Sequence, residues 1–192
     1  MATLVFATNN PNKIREIRAQ LGEQYDFRSL ADIGCFEEIP ETTPTLKGNA
    51  LQKARHVFDG YGHDCFSEDT GLEVEALAGA PGVITAHYAG PERDAQANMD
   101  KVLAELGDAS NRKAQFRTVI CLIEQGTTHF FEGICPGQIT LEKTGDSGFG
   151  YDPIFIPEGA ARTFAEMSGS EKLQYSHRAR AMAKLIAYLQ KH

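Results

Sequence analysis

Glu68 and Asp69 lie side by side where a predicted strand gives way to a predicted turn that ends at Gly71. Adjacent acids in such a place often hold a divalent cation, and a carboxylate can also take a proton from water. Successive strand residues point to opposite faces, so the two acids need not act together. Because turns are rich in Asp and Gly, a solvated turn explains the same residues.

The segment Thr8-Asn9-Asn10 joins a predicted strand to a predicted helix. Asn10 followed by Pro11 is typical of an N-cap with proline at the first helical position. Free backbone N–H groups at a helix N-terminus attract anions, and Lys13 on the first turn would add a positive charge. An ordinary capped helix is the structural alternative.

Two segments of the C-terminal part could bind an aromatic or anionic ligand. The stretch GFGYDP, residues 148–153, places two glycines around one aromatic residue and a second aromatic before Asp-Pro. Glycines let a backbone approach a ligand closely, and aromatic rings offer a face on which a base can stack. A hairpin turn with core aromatics is the alternative.

The second segment is Ser176-His177-Arg178, preceded by Lys172. Ser176 suits an N-cap, which would place His177 and Arg178 on the first helical turn. Positive charge there opposes the helix dipole, and an electron-rich ligand would provide a reason for this local cost. A surface cluster of basic residues is the alternative.

The elements that would position these residues follow from hydrophobic spacing and helix-stop signals. We predict α/β architecture with a mixed sheet. The predicted strands are residues 3–7, 25–30, 64–68 and 72–77, with a β-meander over 113–143. The predicted helices are residues 11–21, ending at Gly22, and residues 49–58, 91–106 and 176–189, with a loop over 35–48.

Composition limits the class of protein. The 192 residues, 42% of them hydrophobic, predict one domain over residues 1–192 with a substantial core. A formal net charge of −7 without a basic stripe argues against nucleic acid polymers as partners. No apolar run is long enough for a membrane span, and the start does not resemble a secretory signal. Four cysteines without a C-x-x-C pair predict reduced thiols and a cytoplasmic protein.

Taken together and in this order, the motifs resemble those of the inosine triphosphate pyrophosphatase family, which removes non-standard purine nucleoside triphosphates. The matching segments span nearly the whole chain: ATNNPNKIREI, ETTPTLKGNALQKA, FSEDTGLEVEALAGAPG, GFGYDPIF, TFAEM and EKLQYSHRARA. The resemblance implies an elongated two-lobed α/β fold around a mixed sheet flanked by helices, with the active site in the cleft between the lobes. It also implies a homodimer, Mg2+ as cofactor, and hydrolysis of ITP, dITP or XTP to the monophosphate and pyrophosphate.

The resemblance also assigns roles to residues. Asp69 would be the general base and would hold Mg2+ together with Glu41. This assignment of Glu41 is the weakest, because Glu37 and Glu38 lie close by in the sequence. The residues that would bind the substrate are Thr8, Asn9, Asn10 and Lys13 on the phosphates, Phe149, Gly150, Tyr151 and Asp152 around the base, Lys172 on phosphate or base, and His177 with Arg178 on the base edge.

Arg178 offers a physical reason for such specificity. A guanidinium only donates hydrogen bonds, so it matches the six-oxo group of hypoxanthine or xanthine and not the six-amino group of adenine. Guanine shares the six-oxo group and must be rejected through its two-amino group by a residue that the sequence does not identify. Two other functions stay open: a nucleotide sensor without turnover, and a pyrophosphatase for modified pyrimidines or methylated nucleotides.

Overall fold

The computed structural model describes residues 3–21 and 25–191, which form a mixed α/β structure around a six-stranded sheet. The strand order is β2-β1-β3-β4-β5-β6. The strands are β1 (Thr3–Phe6), β2 (Asp26–Arg28), β3 (Cys65–Val74), β4 (Lys113–Glu124), β5 (Thr127–Ile139) and β6 (Phe155–Pro157). The helices are α1 (Pro11–Leu21), α2 (Leu46–Tyr61), α3 (Ala95–Leu106), α4 (Gly169–Tyr175) and α5 (His177–Leu189).

The sheet is mixed, as predicted. β1 pairs in parallel with both β2 and β3, whereas β5 and β6 are antiparallel. The predicted meander is a pair of long strands, β4 and β5, joined by a tight turn at Gln125 and Gly126, both of which have positive φ.

The chain divides into two compact units. The first contains the chain up to Asp69, residues Thr118–Gly133, and the chain from Ala179 onward. The second contains Thr70–Arg117 and Ile134–Arg178. The division therefore falls inside β3, β4 and β5 and near the start of α5.

The first unit buries apolar residues on both faces of its strands. Alternation along β1 sends Val5 to one face and Leu4 and Phe6 to the other. Val5 belongs to a cluster that includes the apolar stripe of α2, and Phe6 to one that includes α1 and α5. Because both faces are covered, these strands are continuous apolar runs in the sequence. Such runs allowed the strands to be predicted.

The second unit has its own core. The cluster contains Met99, Val102 and Leu106 of α3, together with residues of β3, β4 and β5 and the rings of Phe155 and Phe164. The predicted helix over 91–106 begins later than expected, at Ala95, because Asp94 caps it by accepting hydrogen bonds from the N–H groups of Gln96 and Ala97.

One prediction about the elements is wrong. The expected turn at residues 69–71 does not exist, because β3 runs without interruption from Cys65 to Val74 and is followed by a 3-10 turn, Glu75–Leu77. Gly71 is buried in the strand and marks no turn. The predicted stop of α1 at Gly22 lies outside the described residues.

Two further observations concern the class of protein. Among the described residues, no helix is both long and apolar enough to cross a membrane. Cys35, Cys65, Cys121 and Cys135 are all buried, and none of the four forms a disulfide.

Candidate active site

Glu68 and Asp69 are consecutive residues in the middle of β3, and both are buried. Their strand neighbours fix the backbone, so the side chains leave opposite faces of the strand. The Glu68 carboxylate is fully buried and lies 2.6 Å from Nζ of Lys13, which stands on the first turn of α1. The predicted lysine and one acid of the predicted pair therefore meet directly.

Lys53 connects Asp69 with two other parts of the first unit. Its Nζ lies 2.6 Å from Oε1 of Glu41 and 3.6 Å from Oδ1 of Asp69. It also donates to the backbone carbonyl of Glu68 at 2.7 Å. The Lys53 side chain is only 7% exposed, so the ammonium depends on these acids for its stability.

The sequence analysis did not identify Lys53. The signal was present, because Lys53 falls in the helical stripe of α2 that also holds the buried residues Ala50, Ala54 and Val57. A charged residue in an apolar stripe needs a buried partner, and only the fold shows that the partner is an acid of β3.

Asn49 holds the other oxygen of Asp69. Its Nδ2 donates to Oδ2 of Asp69 at 3.2 Å, while its Oδ1 accepts from the backbone N–H and the hydroxyl of Thr43. The amide orientation of Asn49 is thereby fixed, and Asn49 is a second residue of the site that the sequence analysis missed.

The electrostatic surroundings perturb both central groups. Burial raises the pKa of Asp69 above its ordinary value, although the charges of Lys53 and Lys13 act to lower it. Burial alone would lower the pKa of Lys53, but the charges of Asp69 and Glu41 outweigh burial and raise it. Such shifts are typical of sites where a carboxylate works as a base.

Two of the three loop glutamates, Glu37 and Glu41, have different partners. Glu41 reaches Lys53 and so belongs to the group around Asp69. Glu37 instead accepts hydrogen bonds from the Tyr61 hydroxyl and lies 2.8 Å from Nε2 of His56. Of these two acids, Glu41 is the one that lies with Lys53 beside Asp69.

The start of α1, where an anion site was predicted, is a capped helix N-terminus. Oδ1 of Asn10 accepts from the backbone N–H groups of Asn12 and Lys13, at 3.0 and 3.3 Å, as an N-cap does. The hydroxyl of Thr8 accepts from the N–H of Asn10 at 3.2 Å. Asn9 between them is exposed.

The second unit holds another buried ion pair. Nζ of Lys172, on α4, lies 2.7 Å from Oδ2 of Asp152, and both side chains are less than a tenth exposed. The same carboxylate oxygen accepts from the N–H of Phe149 at 3.0 Å. Nζ of Lys172 also lies 4.7 Å from the centre of the Phe149 ring, a cation–π contact.

Gly148 is required at this point for two reasons. Its φ is +75°, in the left-handed region that favours glycine. A Cβ placed on it would also meet Oδ2 of Asp152 at 2.1 Å. The close approach of the backbone to the Asp152 carboxylate explains why the first residue of GFGYDP is glycine. Gly150, with φ +61°, allows the chain to turn again.

His177 and Arg178 are both buried at the start of α5. The imidazole of His177 stacks on Phe116 with ring centres 4.6 Å apart. The guanidinium of Arg178 lies 5.4 Å from the centre of the Phe149 ring and donates to the Thr70 hydroxyl at 3.4 Å. Phe149 therefore stands beside both Arg178 and Lys172.

Tyr151 occupies a different position from its neighbours in the motif. It is 3% exposed and belongs to the core of the second unit, where its hydroxyl donates to the carbonyl of Thr85 at 2.6 Å. Burial raises the pKa of this hydroxyl above its ordinary value. The side chain supports the loop that carries Phe149.

Comparison with known proteins identifies the family. A family model described as the Ham1 family matches residues 4–188. The chain belongs to the Ham1 family. The membership predicted from the motifs is thereby confirmed, since the relatives of this Ham1 chain include proteins named dITP/XTP pyrophosphatase.

Two such relatives and one solved structure illustrate the similarity. The dITP/XTP pyrophosphatase of Flavobacterium psychrophilum is 55% identical over 185 residues, or 96% of this chain and 97% of the relative. That of Christiangramia forsetii is 52% identical over 188 residues, or 98% and 99%. The structure of a HAM1 protein from Coxiella burnetii matches with a TM-score of 0.92 at 35% identity and covers 100% of both chains.

Proposed function

We propose that this Ham1 chain hydrolyses non-standard purine nucleoside triphosphates, namely ITP, dITP and XTP, to the monophosphate and pyrophosphate. The observation that carries the proposal is the buried carboxylate of Asp69, which has a raised pKa and is held between Lys53 and Asn49. A carboxylate with these features is suited to take a proton from an attacking water. The names of the relatives support the choice of substrate.

The triphosphate is assigned to the first unit. The N-terminal end of the α1 dipole favours negative charge, and Lys13 and Lys53 supply positive charge. Phosphoryl transfer needs positioning and charge neutralisation more than covalent help from the protein. Thr8, Asn9 and Asn10 complete the set of polar groups on this segment.

The donor atoms around Asp69 fit Mg2+. Asp69 and Glu41, which share Lys53 as a partner, offer carboxylate oxygens, the hard ligands that this ion takes. These two carboxyl groups lie on the single positive charge of Lys53, so a cation would add to the neutralisation of the pair. Glu41 and Asp69 would hold the ion, which when bound would offset the charge of the reacting phosphates.

In the reaction, Asp69 accepts a proton from the water whose oxygen attacks phosphorus. The bond from the α-phosphorus to the oxygen that bridges it to the β-phosphate breaks, and pyrophosphate leaves with the electron pair of that bond. Lys53 keeps the Asp69 carboxylate in place and lowers its pKa, so that enough of the base is ionised near neutral pH.

The residues around Phe149 are suited to bind the purine base of the substrate. The ring of Phe149 offers a stacking face, while Arg178 offers donors to the six-oxo group of hypoxanthine or xanthine. His177 is held by stacking on Phe116, and Lys172 is held by Asp152. Adenine at the same place would leave its amino group facing donors, which costs about 1–3 kcal/mol.

The deciding experiment incubates the pure protein with Mg2+ and, in separate reactions, ITP, XTP, dITP, ATP, GTP and a modified pyrimidine triphosphate. Pyrophosphate and orthophosphate are measured separately, with EDTA as the metal-free control. We expect pyrophosphate from the first three only, and none with EDTA. Orthophosphate would indicate a phosphatase, and binding without release would indicate a nucleotide sensor.

A homodimer and a cytoplasmic location, both expected from the sequence, also belong to this proposal. Sedimentation equilibrium of the purified protein would test the first. Fractionation of cells that express the full-length chain would test the second.

A further inference from the structure

Outside the acid cluster around Asp69, three residues of metal-binding types meet in the first unit. Cys35, Glu37 and His56 each offer one ligand atom, and these atoms lie within 4.8 Å of one another. A thiolate, a carboxylate and an imidazole are the ligand types that zinc takes in proteins. We propose that Cys35, Glu37 and His56 bind a transition-metal ion of the Zn2+ type, with water as a fourth ligand.

The local fold brings the three residues together from two segments. Gly34, with φ +76°, ends the 3-10 turn Ala31–Ile33 and turns the chain so that Cys35 enters the core. The N–H of Cys35 donates to the carbonyl of Leu30 at 3.0 Å, which fixes its backbone. His56 stands on α2, immediately before the buried Val57, and is about one-third exposed.

Glu37 is already oriented toward His56. The hydroxyl of Tyr61, the last residue of α2, donates to both carboxylate oxygens of Glu37 at 2.7 and 2.9 Å. One of these oxygens lies 2.8 Å from Nε2 of His56. Hydrogen bonds from Tyr61 and His56 hold the pKa of Glu37 at about 2, so the carboxylate is ionised at neutral pH.

The spacing suits a tetrahedral ion after small side-chain rotations. Zinc bonds of about 2.0–2.3 Å place neighbouring ligands roughly 3.3–3.8 Å apart. Glu37 and His56 are 48% and 32% exposed, so both can adjust, while Cys35 is held by the core. A hydrogen-bonded cluster of Tyr61, Glu37 and His56 beside a core cysteine is the alternative, and the cobalt titration below distinguishes the two.

Solvent reaches two of the three proposed ligands, Glu37 and His56, whereas Cys35 is buried. Glu37, His56 and Tyr61 line an open groove of about 560 Å³, together with Pro40, Gln52, Arg55, Asp59 and Gly60. Burial raises the pKa of the Cys35 thiol, so coordination must release its proton to solvent as the sulfur–metal bond forms. The bound ion would cross-link the loop after Gly34 to helix α2.

The test uses metal-stripped, full-length protein titrated with Co2+, whose absorption reports its ligands. We expect thiolate-to-cobalt charge transfer in the near ultraviolet, visible bands of tetrahedral intensity, and loss of both on addition of Zn2+. Cys35→Ser should remove the charge-transfer band, and His56→Gln or Glu37→Gln should weaken Co2+ binding at least tenfold. The matched controls Cys121→Ser and His87→Gln should behave like the unmodified protein.

Co2+ bound to the carboxylates around Asp69 would give no thiolate-to-cobalt band. Asp69→Asn should therefore leave that band unchanged. If Cys35→Ser fails to fold, His56→Gln, at a position about one-third exposed, still tests the proposal. Absence of a thiolate–cobalt band, or its survival in His56→Gln at full affinity, would overturn the proposal. The pyrophosphatase assay is independent, because none of these three residues belongs to the proposed active site.

Discussion

Nζ of Lys53 lies 3.6 Å from Oδ1 of Asp69, and both side chains are buried. The two groups perturb each other in opposite directions: the ammonium lowers the pKa of the carboxyl group that burial has raised, and the carboxylate raises the pKa of the lysine. The charge of Lys53 thus opposes the effect of burial on the pKa of the proposed base.

Lys53→Met should move the acid limb of the kcat/KM profile to higher pH. Removal of the positive charge raises the pKa of Asp69 further, and the base acts only when ionised, so activity is lost from the acid side. The measurement is kcat/KM for ITP from pH 5 to 10. Lys47→Met, an exposed position on the same helix, is the control and should keep the original profile.

Asp69→Asn should lower kcat by about 10²–10⁴, because the amide cannot take a proton from water. Nucleotide affinity should change little, since Asn49 and Lys53 remain to order the site. Calorimetric binding of ITP beside single-turnover kinetics separates the two effects. Asp108→Asn, at an exposed position, should leave both unchanged, and a kcat that survives in Asp69→Asn would remove Asp69 as the base.

Arg178→Ala should narrow the preference for ITP over ATP. The loss of a donor matched to the six-oxo group is worth about 1–3 kcal/mol, or roughly 5- to 150-fold in the ratio of kcat/KM values. Arg180→Ala, which removes an exposed guanidinium two residues later, is the control. An unchanged ratio in the Arg178 variant would show that the base edge is recognised elsewhere.

Lys172→Met should strongly destabilise the fold. Its partner Asp152 is 4% exposed, and a buried charge left without its partner costs about 3–5 kcal/mol. Lys143→Met breaks the more exposed pair with Asp100, which is worth about 0–1 kcal/mol. Free energies of unfolding from denaturant titration should differ accordingly, and similar losses in the two variants would contradict this prediction.

Short-range patterns in the sequence were sufficient for most elements. The apolar run of β1, the Asn10-Pro11 start of α1 and the stripe of α5 are all found near the predicted positions. Each depends on contacts within a few residues or on a hydrophobic period, and such information is local. The same holds for the motif order, which led to the family before any fold was known.

The error at residues 69–71 has a clear cause. Asp69 and Gly71 favour turns when they stand alone, but here the burial of Ser67, Glu68 and Leu72 holds the strand straight through them. Tertiary packing therefore overrode the local preference, and the acids lie within the strand and not at its end.

The sequence by itself determined the α/β class, the family, and which polar residues are unusual for their local structure. Only the tertiary structure decided which charges meet: Lys13 with Glu68, Lys53 with Glu41 and Asp69, and Lys172 with Asp152. The reason is physical, because a hydrophobic period reports the face on which a residue lies but not its partner across the fold. Partners separated by 12 to 55 positions become neighbours only when the strands and helices pack, and each pair then has at least one buried charge that needs its partner.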